Sequence, residues 1–181
     1  MDMLNDTDIK KNRGIVVDKH MKTNIKNVYA AGDVCETTDI LSGNQRLIPI
    51  LPGAYKQGEV AGINMAGAEA DYEGSLAMNS IGFFGLPMIT AGIVRPEGDG
   101  FEILEKVDKQ NYSLRKIVLK QNRIVGFIMI NNVDRAGIIT NLIKENVDVS
   151  DFKDRLLNND FGYADMPKKY RKEKLIKVRT V

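Results

Sequence analysis

The chain has 181 residues, 43% hydrophobic and 28% charged, with a formal net charge of +2. This is a globular composition with room for one ordinary domain or two small ones, and it excludes wholesale disorder. One cysteine, Cys35, and one histidine, His20, exclude an internal disulfide framework, a CxxC redox pair and a His- or Cys-rich metal centre. No apolar run approaches the roughly 18 residues of a membrane span. The opening MDMLNDTDIKKN is neither a signal peptide nor an anchor, so a reducing cytoplasm is the expected setting.

In chain order, GIVVD (14–18) reads as a strand, followed by the polar connection KHMKTN. NVYAAGD (27–33) reads as a second strand ending at Gly32-Asp33, where a chain often leaves a sheet. Residues 35–48 read as loop, and Pro49 and Pro52 lead into a helix at about 53–66, closed by Gly67. On that helix Ala54, Gly58, Ala61, Gly62 and Met65 recur at helical spacing. Two interior glycines cost about 1 kcal/mol each. Close approach to a flat ligand or tight packing on a strand are two equal explanations for a face this small.

Residues 68–82 read as a changeover region. Apolar stretches at about 87–94, 101–107, 112–120 and 123–130 follow, the last two flanking a hairpin turn at Gln121-Asn122. Asp134 is a candidate N-cap for a helix carrying Ile138, Ile139, Leu142 and Ile143 on one face. Ser150 is a candidate cap for a short helix with Phe152 and Leu156. Strands followed by helices point to an α+β unit with an antiparallel sheet. The charge is uneven: residues 1–100 hold 9 basic and 13 acidic residues, residues 101–181 hold 17 and 11. The last fourteen carry 7 basic residues and 1 acidic, read as a solvated tail because no nucleic-acid fold signature accompanies them.

One local pattern is specific: Thr23, four residues, then Val28-Tyr29-Ala30-Ala31-Gly32-Asp33. It resembles the second FAD-binding motif of the pyridine nucleotide-disulfide oxidoreductase superfamily. A glycine at the end of a buried strand lets backbone approach a ligand, and the next carboxylate can accept hydrogen bonds from sugar-alcohol hydroxyls. In the family that aspartate contacts the ribityl chain of FAD, which assigns the contact to Asp33 and the close approach to Gly32. LPGAYKQGEVAGINMAG (51–67) is similar to the family helix whose start faces the flavin pyrimidine ring. Its positive end favours negative charge there. The resemblance places Pro52, Gly53 and Ala54 at that helix start.

Residues 72–92 and the elements to about 166 resemble the C-terminal domain of NAD(P)H-dependent rubredoxin or nitrite reductase-type flavoproteins. The Gly-rich fingerprints that hold the FAD and NAD(P)H pyrophosphates are absent: the only Gly-x-Gly, Gly98-Asp99-Gly100, has no third glycine. The resemblance therefore implies the C-terminal part of such an enzyme: the end of an α/β, Rossmann-like FAD domain over 1–70, an α+β domain over 71–166 and a basic tail over 167–181. It implies FAD and NAD(P)H for the full-length protein, and an acceptor such as rubredoxin or a related redox protein. No residue is expected to serve as general acid, base, nucleophile or metal ligand. The rival expectation is a non-enzymatic interaction or dimerisation module that binds no flavin by itself, with self-association in either case. Neither nucleic acid nor membrane is an expected partner. Cys35 and His20 read as a packing residue and a surface residue, and Phe83, Phe84 and Met88 as core.

Overall fold

The computed structural model describes the backbone of residues 4–177 and the side chains of 4–172. The chain divides between Ala77 and Met78 into two compact units. Residues 71–77 lie with the first unit, although the sequence places a boundary at 70/71. The Ser75 N–H donates to the Thr38 carbonyl (2.8 Å), the Ile40 N–H donates to the Ser75 carbonyl (3.1 Å), and Tyr72 is part of the first core.

The first unit is a three-stranded sheet under one helix. β1 (Ile15–Val16) pairs in parallel with β2 (Cys35–Thr38), which pairs antiparallel with β3 (Gln45–Leu47). Helix α1 (Leu51–Met65) contributes Val60 and Ala61 to a core with Ile15, Val17, Met21, Cys35 and Tyr72. Two expectations change here. The second strand is β2, inside the segment 35–48 read as loop, because Glu36 and Thr37 are polar yet buried. The motif segment 27–33 makes only an isolated bridge, Lys22 to Tyr29, since Asn27 already has a left-handed backbone (φ 63°).

The helix face also shifts. The buried positions of α1 are Gly53, Gln57, Val60, Ala61 and Asn64, the expected spacing moved back by one residue. A Cβ at Gly58 or Gly62 would meet nothing within 4 Å, so neither close packing nor a close neighbour explains those glycines. The one-residue shift rotates the helix by about 100°. The helix ends as expected, with Gly67 in the left-handed region (φ 88°) and its N–H on the Asn64 carbonyl.

The second unit is a five-stranded antiparallel sheet, ordered β4-β5-β8-β7-β6. Its strands are β4 (Met78–Phe83), β5 (Leu86–Gly92), β6 (Phe101–Asp108), β7 (Ser113–Lys120) and β8 (Arg123–Ile130). Gln121 and Asn122 both have positive φ, as a two-residue turn between β7 and β8 demands. Strand β4 begins within the expected changeover region. Phe83 and Phe84 sit at its turn into β5, 61% and 92% exposed and edge to face, so they are not core residues.

Helix α2 (Ala136–Lys144) covers β8 and buries Ile139, Leu142 and Ile143. Its N-cap is Arg135, in the left-handed region, and not Asp134; no side chain caps it. A kinked 3-10 stretch, Ser150–Arg155, follows Val149, and the Asp148 carboxylate accepts the Ser150 N–H, so the capping group lies two residues earlier than expected. Phe127, Met129, Ile117, Leu156 and Phe161 close the core, with Phe152 stacked on Phe161 at 6.0 Å. The segment read as a solvated tail forms helix α3 (Lys168–Lys177), and residues 178–181 lie outside the described ones.

Candidate functional site

The Thr23-to-Val28 spacing has a mechanical meaning. The Thr23 N–H and hydroxyl both donate to the Val28 carbonyl (2.9 and 3.0 Å), while the Ile25 N–H donates to the Thr23 hydroxyl (3.1 Å). A six-residue loop is thereby closed on itself, and the chain leaves it toward Gly32. Threonine suits the position because its hydroxyl donates and accepts at once.

Gly32 has a left-handed backbone (φ 93°), and a Cβ there would stand 3.8 Å from the Ala54 Cβ. The motif glycine and Ala54 of the helix start are thus neighbours in space, 22 positions apart in sequence. Asp33 is exposed, and its carboxylate has no hydrogen-bond or ion-pair partner among the described residues. The start of α1 has no side-chain cap and no acidic residue in its first turn, so its positive end is uncompensated. Pro52, exposed at that start, has no N–H to leave unpaired. Gly53 faces inward, where a Cβ would meet the Ser75 hydroxyl at 2.9 Å and Ile50 at 3.2 Å. Its smallness serves packing. The five expected residues therefore meet at one place, with Gly53 turned away from its open side.

Gln57 escaped the sequence reading. It is 2% exposed; its Oε1 accepts the Gly32 N–H at 2.7 Å and its Nε2 donates to the Tyr72 hydroxyl at 3.5 Å. Tyr72 in turn shares a short hydrogen bond with Ser75. One amide thus ties the motif glycine to the helix. The only sequence signal was a polar residue at i+4 from Gly53 on a face otherwise small. Gln57→Leu should leave the half-buried Gly32 N–H without its partner, a loss of about 1 kcal/mol. Faster amide exchange at Gly32 with unchanged exchange at Ile93 in the second unit is the expected signature; equal exchange at Gly32 in both proteins would show that the amide does not hold the loop.

Two residues considered for chemistry have structural surroundings. Cys35 is fully buried, and burial pushes its thiol up to about 11, so it stays protonated at neutral pH. His20 is half-buried, with Nδ1 3.0 Å from Asp71 and 3.2 Å from the Ala70 carbonyl, and is not the free surface residue expected. Among the described residues no group of His, Cys, Asp and Glu could hold a metal, and no helix is long and apolar enough to cross a membrane.

The pyridine nucleotide-disulphide oxidoreductase family profile matches residues 2–58, and the rubredoxin NAD+ reductase C-terminal domain profile matches 78–147. The chain belongs to the pyridine nucleotide-disulphide oxidoreductase family. It is 32% identical over 163 residues to the NADH-dependent phenylglyoxylate dehydrogenase subunit epsilon of Aromatoleum evansii, covering 88% of this chain and 38% of that one. It is 31% identical over 161 residues to the NADH-rubredoxin oxidoreductase of Clostridium acetobutylicum, covering 88% and 40%. The crystal structure of the C. acetobutylicum NADH:rubredoxin oxidoreductase matches with a TM-score of 0.68 at 29% identity, again over 88% of this chain and 40% of the other. The chain of this family member thus spans about two fifths of those relatives' length. Its mixed α/β first unit and antiparallel α+β second unit are the fold of that part of the family.

Proposed function

We propose that this chain supplies the ribityl and pyrimidine side of the FAD site in an NAD(P)H oxidoreductase. The observation that carries the reading is the meeting of Gly32, Asp33 and Ala54 at the uncapped start of α1. The residues fit the group. A left-handed glycine keeps a Cβ out of the approach, a free carboxylate stands next to it, and the helix start supplies positive potential.

When bound, FAD would supply hydride acceptance from NAD(P)H and onward electron transfer. The protein's part is positional. Asp33 accepts hydrogen bonds from ribityl hydroxyls, which fixes the group along its length. The start of α1, near Ala54 and Pro52, would favour negative charge on a ring held there. Gln57 holds the Gly32 loop against the helix so that both elements keep one spacing. No side chain here is assigned proton transfer. The relatives named above use NADH, and one passes electrons to rubredoxin, which supports a small redox protein as the acceptor.

The visible spectrum of the chain after mixing with excess FAD and desalting tests the reading. Retained flavin absorbance is expected, with Asp33→Ala weakening binding about tenfold or more, some 1.4 kcal/mol. A wild-type chain that loses all FAD, or an Asp33→Ala chain that keeps it equally well, would count against it. The exposed Phe83–Phe84 tip favours a second reading for the second unit, an interaction or self-association surface. Sedimentation velocity tests this, with a concentration-dependent mass that Phe84→Ser abolishes as the expected result.

A further inference from the structure

Arg115 lies on β7 with Ile117 and Leu119, on the face that packs under the 3-10 stretch, where cross-strand register sets it between Lys106 and Met129. It is 4% exposed. Its Nε donates to the Leu156 carbonyl at 2.8 Å, but among the described residues Nη1 and Nη2 have no hydrogen-bond partner. Leaving charged donors buried and unpaired is costly. Arg115 is also part of the lining of a cleft of about 60 Å³, with Lys106, Asp108, Ser113, Asn132 and Asn159.

We propose that this cleft, formed within the second unit, is a binding site for a small phosphate-class oxyanion. The guanidinium is the recognition element: its two buried, unpartnered terminal nitrogens are donors in the fixed fork that matches two oxygens of one anion. Lys106 adds a second positive charge at the rim. Burial, and to a lesser degree the charge of Arg135, pulls the Arg115 guanidinium below its ordinary range, as expected of a cation without an anionic partner. Asp108 is the one opposing charge in the lining. Its carboxylate already accepts the side-chain and backbone N–H groups of Asn111 and the backbone N–H of Gln110, which hold its pKa below the ordinary carboxylate range. Ser113, Asn132 and Asn159 supply neutral polar groups around the same space. Size limits the occupant. The cleft exceeds the roughly 10–15 Å³ that one water needs, yet is far below the roughly 300–1,000 Å³ of a site for a drug-sized ligand. A phosphate group fits such a space and a dinucleotide does not.

Titration of the full chain with inorganic phosphate at constant ionic strength tests this, read by amide chemical shifts and by the thermal midpoint. One saturable site is expected, with shifts centred on Lys106, Arg115 and Asn159 and a midpoint that rises with phosphate concentration. Arg115→Lys keeps the charge and loses the fork, and should weaken binding about tenfold or more. Lys106→Ala changes an exposed side chain and folds regardless; a loss of several-fold is expected there. Chloride at matched ionic strength should leave the shifts unmoved. A glycerol phosphate arm distinguishes sources: binding as tight as phosphate assigns the site to a phosphorylated small molecule, and binding of phosphate alone assigns it to the free ion. No saturable binding, binding unchanged in both variants, or preference for acetate over phosphate would overturn the proposal.

Discussion

Gly126→Ala should unfold the second unit or leave it molten at room temperature. A Cβ at this position would stand 2.5 Å from the Ile93 carbonyl carbon and 2.7 Å from its nitrogen, and closer still to its oxygen. Those are backbone atoms, so no rotamer change relieves the overlap. Ile93 cannot retreat cheaply either, because its N–H is bonded to the Val125 carbonyl at 2.8 Å. Gly126 sits at the centre of the sheet, paired with Gly92 on one side and Val118 on the other, and next to the fully buried Phe127. Relief therefore requires β5 and β8 to part, and we expect a loss on the order of 3–5 kcal/mol. Gly137→Ala serves as the control. A Cβ at that helical position meets nothing within 4 Å, and it should stabilise α2 slightly. Circular dichroism melts of both variants check the contrast; a Gly126→Ala protein that melts with wild type would show that the strand contact is softer than its geometry.

The second large effect belongs to Glu36. Its carboxylate is buried in β2 and accepts three hydrogen bonds: the Gly14 N–H (2.9 Å) and the Arg13 N–H (2.7 Å) on one oxygen, and the Asn12 side-chain amide (3.2 Å) on the other. The Gly14 N–H contributes most to holding this carboxyl below the ordinary range, with further help from Asn12 and Arg13. Because the folded value is depressed, the ionised form stabilises the fold. That contribution is fully present above the unfolded value, about 4.3, and is lost as pH falls through the folded value. The first unit should therefore keep constant stability from neutral pH down to about 5 and weaken below that. Glu36→Ala removes all three acceptor contacts, leaves buried N–H groups unpaired, and should cost about 2 kcal/mol or more at pH 7. Glu36→Gln should cost less and flatten the acid limb. Amide exchange at Gly14 across this pH range measures both effects, and a Glu36→Gln protein with the wild-type acid limb would refute the assignment.

Much of this protein was legible from residue order alone, wherever a feature depends on neighbours along the chain. The Gln121-Asn122 turn, the apolar strands on either side of it, the Gly67 stop and the Thr23-to-Asp33 motif are all local patterns. Each follows from backbone conformation or from hydrogen bonds spanning a few residues. The family resemblance rests on the same short patterns, whereas the proximity of Gly32 and Ala54 is a property of the folded chain.

Tertiary structure decided everything that depended on partners distant in sequence. Strand β2 was unreadable because Glu36 and Thr37 look like loop residues until residues 12–14 and β3 enclose them. The face of α1 was read about 100° away, since glycine and alanine spacing marks two adjacent faces equally well. Only the packing of Val60 and Asn64 chose between them. Arg115 gives no local sign of its role, and Gln57 only the weak one of a polar residue at i+4 from Gly53. One amide fastens a glycine 25 positions away, and one guanidinium reaches a carbonyl 41 positions away while its two terminal nitrogens stay unpartnered among the described residues. Burial gives a polar side chain its meaning by removing water as the alternative partner. Sequence order carries the donors and acceptors, and folding determines which of them must find each other.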